Sequence, residues 1–149
     1  MATKREVNWK LLKECRDLFK KKPSKSYMSG FCVLKAKYQG VIPEGQEVPI
    51  CKTHLCIGGS ALLLSGEYKG IAEGWSTVSI TDLRGNSVTD YWKAAKRVLG
   101  LTQPQAIRLF SEPCWPEQFQ SNNNNIGSRT LAHNMVRRIN HFIKTKGRE

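Results

Sequence analysis

The sequence predicts a mainly α (α+β) fold: four to five helices around a buried central helix, with a small two- or three-stranded antiparallel sheet beside it. Three observations carry that expectation. Leu55 to Leu64 would be apolar on nearly every face of a helix, which places it inside the fold. Amphipathic stretches with a period near 3.6 residues recur on both sides of it. The clearest alternating stretch is Trp75 to Thr81, with Val78 and Ile80 on one side and Thr77, Ser79 and Thr81 on the other. A chain of 149 residues is one globular domain, 1–149, and can bury a core without disulfide or metal staples. A hydrophobic share of 40% and a charged share of 24% belong to a folded chain rather than a disordered one.

In order along the chain, Asn8 to Lys22 reads as the first helix. Trp9, Leu11, Leu12, Cys15, Leu18 and Phe19 share a broad face, and Lys10, Lys13, Arg16 and Lys20 fall on the other. Lys20 to Lys22 complement its C-terminal dipole and Pro23 stops it. Phe31 to Leu34 reads as a strand or a short buried segment, Tyr38 to Ile42 as a short strand, and Pro43-Glu44-Gly45 as a turn. The central helix is expected from about Thr53, with Gly66 as its left-handed terminator. Small residues at Gly58 to Ala61 leave room for another backbone to approach. A helix to Leu99 ends at Gly100, and Thr102 with Gln105 forms a capping box for the next. Trp115-Pro116 and Phe119 anchor a loop, and Ser121 to Asn125 reads as a polar, mobile turn. A final helix from Ser128 to Lys144 carries Leu131, Met135, Val136, Ile139, Phe142 and Ile143 on one face.

Charge is the strongest functional signal. Lys and Arg number 24 against 12 acidic residues, a formal charge of +12. The excess is +6 in residues 1–26, +5 in 129–149 and only +1 between them. Two basic ends on a near-neutral middle favour a polyanion as partner. The candidate binding residues are Lys10, Lys13, Arg16, Lys20, Lys21 and Lys22 of the first helix, with Arg129, Arg137, Arg138 and Lys144 of the last. If the two helices lie side by side, these form one patch that binds phosphates with steep salt dependence.

Other chemistries are less well supported. Cys51, His54 and Cys56 have a spacing that zinc accepts, but no second ligand pair completes it, so no metal or other cofactor is expected. Five cysteines without framework spacing and no signal peptide point to free thiols in a reducing, cytoplasmic setting. No apolar run is long enough to span a membrane. Ala94 to Phe110 has the look of a helix-turn-helix, offering Gln103, Gln105 and Arg108 to base edges. Its second helix is short and the basic charge lies elsewhere, so a packed helical corner is the better reading. Neither glycine cluster, Gly58-Gly59 or Ser65-Gly66, matches a phosphate-cradling loop. Carboxylates are few and unpaired in the apolar middle, so no enzyme is expected.

Cys56 to Gly66, then Ala94 to Thr102, Gln105 to Phe110, Trp115-Pro116 and Arg138 to Ile143 together resemble a scattered group of uncharacterised small bacterial and bacteriophage proteins. That group shows Cys-x-Ala-Gly-x-Ala, a Leu-Gly-Leu helix corner, Ala-x-x-Leu-Phe and Trp-Pro in the same order. This chain departs from it in having Gly58 where Ala is usual and in its strongly basic first helix. The resemblance implies a shared helical fold and a prokaryotic or phage setting, and it carries over no activity and no site residues. The function expected is therefore a non-enzymatic basic protein that engages nucleic acid or another polyanion. The alternative is a phage-type interaction or inhibitor module acting on an acidic protein partner.

Overall fold

The computed structural model describes residues 6–28, 31–120 and 126–149. The turn read at Ser121 to Asn125 lies outside the described residues. Five helices and five strands are found among those that are described. Helix α1 (Trp9–Lys21) follows the N-cap Asn8, whose side chain accepts from the Leu11 N–H at 3.1 Å. A 3-10 turn at Pro23–Lys25 ends it, and strand β1 (Cys32–Leu34) leads to a second 3-10 turn at Ala36–Tyr38. Strands β2 (Glu47–Val48) and β3 (Thr53–Leu55) then precede helix α2 (Ile57–Leu64). Strands β4 (Tyr68–Glu73) and β5 (Thr77–Asp82) form a hairpin, and helices α3 (Tyr91–Leu99), α4 (Gln103–Phe110) and α5 (Arg129–Lys144) complete the chain.

The helix count and the central position of α2 agree with the sequence reading. Ile57, Ala61 and Leu62 have no exposed surface, and each large apolar side chain so buried contributes about 1.5–3 kcal/mol. The small residues at its start serve a close approach. A Cβ at Gly59 would stand 2.0 Å from the carbonyl oxygen of Phe31, and that carbonyl also accepts from Cys56 N–H at 3.3 Å. Gly66 takes a positive φ of 79° just past the helix, as expected. The capping box of Thr102 and Gln105 is present at the start of α4.

The sheet corrects the expectation of two or three strands. It has five antiparallel strands in the order β2-β4-β5-β1-β3, curled into a half-barrel. Strand β4 carries no legible signal in the sequence, because its buried positions, Gly70 and Ala72, give no hydrophobic alternation. Gly70 is small for a reason: a Cβ there would meet Val78 Cγ1 at 2.9 Å. Strand β3 takes Thr53 to Leu55 out of the expected central helix, which begins at Ile57 with Cys56 as its N-cap. Tyr38 to Ile42 is no strand; the 3-10 turn and the following bend pack Tyr38 and Ile42 onto a small cluster of Leu34, Val48, Ala72 and Val78. The larger core joins Ile80 of β5 with α2 and the apolar faces of the other four helices. Among the described residues, no helix is long and apolar enough to cross a membrane.

Candidate polyanion-binding groove

Helices α1 and α5 are antiparallel neighbours. The rings of Trp9 and Phe142 meet at one end with centroids 6.0 Å apart. At the other end Ser26 Oγ donates to the Ser128 carbonyl at 3.0 Å and Gly127 N–H donates to the Ser26 carbonyl at 2.8 Å. Apolar positions on the facing sides, Leu12, Phe19, Met135 and Ile139 among them, bury against the core and fix this pairing.

Between the two helices runs an open groove of about 880 Å³, bordered by Arg16, Lys20, Arg129, His133, Arg137 and Asn140, and none of its lining residues is acidic. Phe19, Ala132 and Val136 form its floor, with Phe19 and Ala132 themselves buried. Arg16 Nη1 donates to Asn140 Oδ1 at 3.2 Å, which ties the two walls together, and its Nε pairs with Asp17 at 3.1 Å. Arg137 lies over the Phe119 ring, 5.2 Å from its centroid. Among the described residues neither Arg129 nor Arg137 enters an ion pair.

The helical repeat explains the alignment. Arg129, His133, Arg137, Asn140 and Lys144 recur at intervals of three, four or seven residues on α5, so they form one stripe. Lys13, Arg16 and Lys20 do the same on α1. The α5 stripe extends about 22 Å from Arg129 to Lys144 at 1.5 Å per residue. Arg129 occupies the first position of α5, whose first turn contains no acidic residue. A cation at a helix N-terminus opposes the dipole and costs about 0.3–1 kcal/mol. Its presence there does not serve the fold.

The remaining candidates separate. Lys10 borders a different depression together with Glu14 and Glu67, where carboxylates offset it. Lys21 is turned by 100° from Lys20, and Lys22 caps the helix with its N–H on the Leu18 carbonyl. Arg138 must be removed from the patch. It is fully buried, pairs with the carboxylate of Glu149, and donates from Nη2 to the Arg108 carbonyl at 3.2 Å. The sequence placed Arg138 beside Arg137 on charge alone, but adjacent helical residues point 100° apart, and Arg138 falls on the face of Leu131, Met135 and Ile139. His133 and Asn140 were missed, although their spacing from Arg129 and Arg137 on one helix was legible.

The side chains of the other motifs make contacts within the fold. Of the three side chains offered to base edges, Gln105 closes the capping box and Arg108 donates to the Glu149 main-chain oxygen. Gln103 accepts from Lys96 Nζ at 3.1 Å. Cys56 Sγ accepts from Gly59 N–H at 3.2 Å, and His54 Nδ1 lies 2.6 Å from the Ser24 carbonyl, so the Nδ1–H tautomer is held there. Burial lowers the His54 pKa against the raising effect of that carbonyl. Burial pushes the thiols of Cys15, Cys32 and Cys56 up to about 12, which keeps them protonated and unreactive. Among the described residues, no three His, Cys, Asp or Glu side chains converge as a metal site requires.

Lys25, absent from the sequence reading, lies just beyond the end of α1. It is buried, and its Nζ donates to the Ile50 carbonyl at 2.5 Å and the Thr53 carbonyl at 3.4 Å. Burial lowers its pKa from 10.5 to about 8, and the charges of Lys35 and Lys22 act in the same direction. It fastens the α1 end to β3 and adds to the positive field on that side of the molecule.

No protein-family model, curated protein or solved structure matches this chain.

Proposed function

We propose that this chain is a non-enzymatic, cytoplasmic nucleic-acid-binding protein of a bacterium or phage, and that the α1–α5 groove holds the phosphate backbone. One observation carries the reading: Arg16, Lys20, Arg129 and Arg137 border a single groove with no acidic residue among its lining. Lys13 and Lys144 continue the two stripes at helical spacing. A row of cations about 22 Å long matches roughly six phosphates at the 3.4 Å rise of one strand. Such contacts position a backbone and do not read sequence. The test is binding of a short duplex and of oligo(dT) across a salt series. Affinity that falls steeply with salt supports the reading, and affinity that is flat, or absent at low salt, removes it.

The apolar floor of Phe19, Ala132 and Val136 favours a second reading, an acidic amphipathic helix of a protein partner lying between the cationic walls. That reading predicts a stoichiometric complex with an acidic protein and poor binding of both nucleic-acid probes at low salt.

A further inference from the structure

Trp75 is 70% exposed, the most of any large apolar side chain among the described residues, with Val41 at 68% and Leu83 at 64% close behind. It is nonetheless held in place. Gly40, at φ +73°, lies beneath it: a Cβ at that position would stand 2.2 Å from the six-membered ring of the indole. The Gly40 N–H donates to the Trp75 carbonyl at 2.9 Å, which joins the β4–β5 turn to the bend after the Ala36–Tyr38 turn. The indole thus rests on a surface that the absent Gly40 side chain leaves open to it. Two residues before Gly40, the Tyr38 ring has the Lys37 ammonium 5.0 Å and the Lys52 ammonium 5.3 Å from its centroid, both within cation–π range. Lys35 N–H donates to the Lys52 carbonyl at 2.9 Å, so these lysines come from tied segments. The acid nearest to Trp75 in sequence, Glu73, accepts from Ser79 Oγ at 2.6 Å.

We propose that Trp75 is a stacking surface for an unpaired base, with Lys37 and Lys52, gathered at the Tyr38 ring, holding the phosphates of the same strand. The inference rests on the nucleic-acid reading and narrows it to single strands. Bases in a duplex stack on one another and present no faces, whereas a splayed strand offers one to the exposed indole. Lysines beside exposed aromatics suit a strand that alternates apolar bases with anionic phosphates. They suit a purely apolar protein surface less well, because such a surface would desolvate the ammonium groups without pairing them.

The experiment uses the full chain with oligo(dT) and a duplex of the same length, at one salt concentration. Trp75→Ala is expected to weaken oligo(dT) binding by roughly tenfold or more and leave duplex binding unchanged. Trp75→Phe, which keeps a ring, restores most of the loss. Gly40→Ala displaces the indole without removing it and is expected to act in the same direction, with circular dichroism reporting that the fold persists. If Trp75→Ala binds oligo(dT) as the native chain does, the stacking surface is overturned, including the case in which the patch serves a protein partner. The groove is tested separately by Arg129→Ala with Arg137→Ala. Unchanged binding of both probes by that variant, with oligo(dT) binding lost in Trp75→Ala, removes the groove reading and leaves the stacking surface standing.

Discussion

Replacing Glu149 by Gln tests the internal electrostatics and the removal of Arg138 from the binding surface together. Arg138 is fully buried and the Glu149 side chain is 9% exposed. The carboxylate pairs with Arg138 and also lies 2.6 Å from His141 Nδ1. Among the described residues, Arg138 Nε and Nη1 have no hydrogen-bond partner. The guanidinium therefore depends on one carboxylate and one carbonyl for its compensation. Glu149→Gln leaves the cation buried without its anion, and breaking a buried pair from one side costs about 3–5 kcal/mol. Against a typical total of about 5–15 kcal/mol this is a large fraction. For a chain of this size it corresponds to a fall in Tm of roughly 6–20 °C. The assay is urea denaturation of the native chain, Glu149→Gln, Arg138→Met and the double variant. The double variant is expected to recover most of the loss, since an apolar replacement of similar volume removes the need for the anion. A Glu149→Gln loss below about 1 kcal/mol would refute the argument, because a buried unpaired charge cannot be that cheap. Arg138→Met should also leave nucleic-acid affinity and its salt dependence unchanged.

Two further expectations follow from packing and from titration. Gly59→Ala sets a Cβ 2.0 Å from the Phe31 carbonyl oxygen, a backbone atom, while Gly58→Ala sets one 2.7 Å from the edge of the Phe31 ring, which can move. Gly59→Ala is therefore expected to cost about 1–3 kcal/mol or more, and Gly58→Ala clearly less, since helix propensity returns up to about 1 kcal/mol; equal losses in urea would contradict this. Lys25 titrates at about 8 when folded against 10.5 ordinarily, so between those values the unfolded chain binds more protons than the folded one. Its contribution makes stability rise with pH from about 8 to 10.5. Lys25→Met should remove that rise, and a variant with the same pH slope as the native chain would show that Lys25 is not its source.

The helices were legible because their signals are local and redundant. Asn8, Pro23, Gly66, Gly100 and the Thr102–Gln105 pair each mark an end, and the 3.6-residue period fills the space between. The sheet was only partly legible. Strand β5 alternates with Val78 and Ile80 inward, but β4 buries Gly70 and Ala72, and β2 is two residues long. Pairing across the sheet, not local pattern, makes these residues strands. The basic stripes of α1 and α5 were visible in the sequence, and their meeting at one groove was not, since it depends on the antiparallel packing of helices more than a hundred residues apart. Arg138 shows the limit of counting charges: its neighbour Arg137 faces the groove, and one helical step carries Arg138 into the core.

The central claim is that α1 and α5 hold phosphates in the groove between them. The most direct measurement is the slope of log affinity against log salt for a short duplex, compared between the native chain and the Arg129→Ala, Arg137→Ala double variant. Arg129 opposes the dipole of α5, so its loss should not destabilise the fold; Arg137 leaves the Phe119 ring in the variant, so circular dichroism must show an unchanged fold before a change in binding reports on contact. Each phosphate contact contributes about 0.9 to the slope, so the double variant should lose roughly 2 and bind more weakly at every salt concentration. Identical slopes for the two proteins would contradict the account.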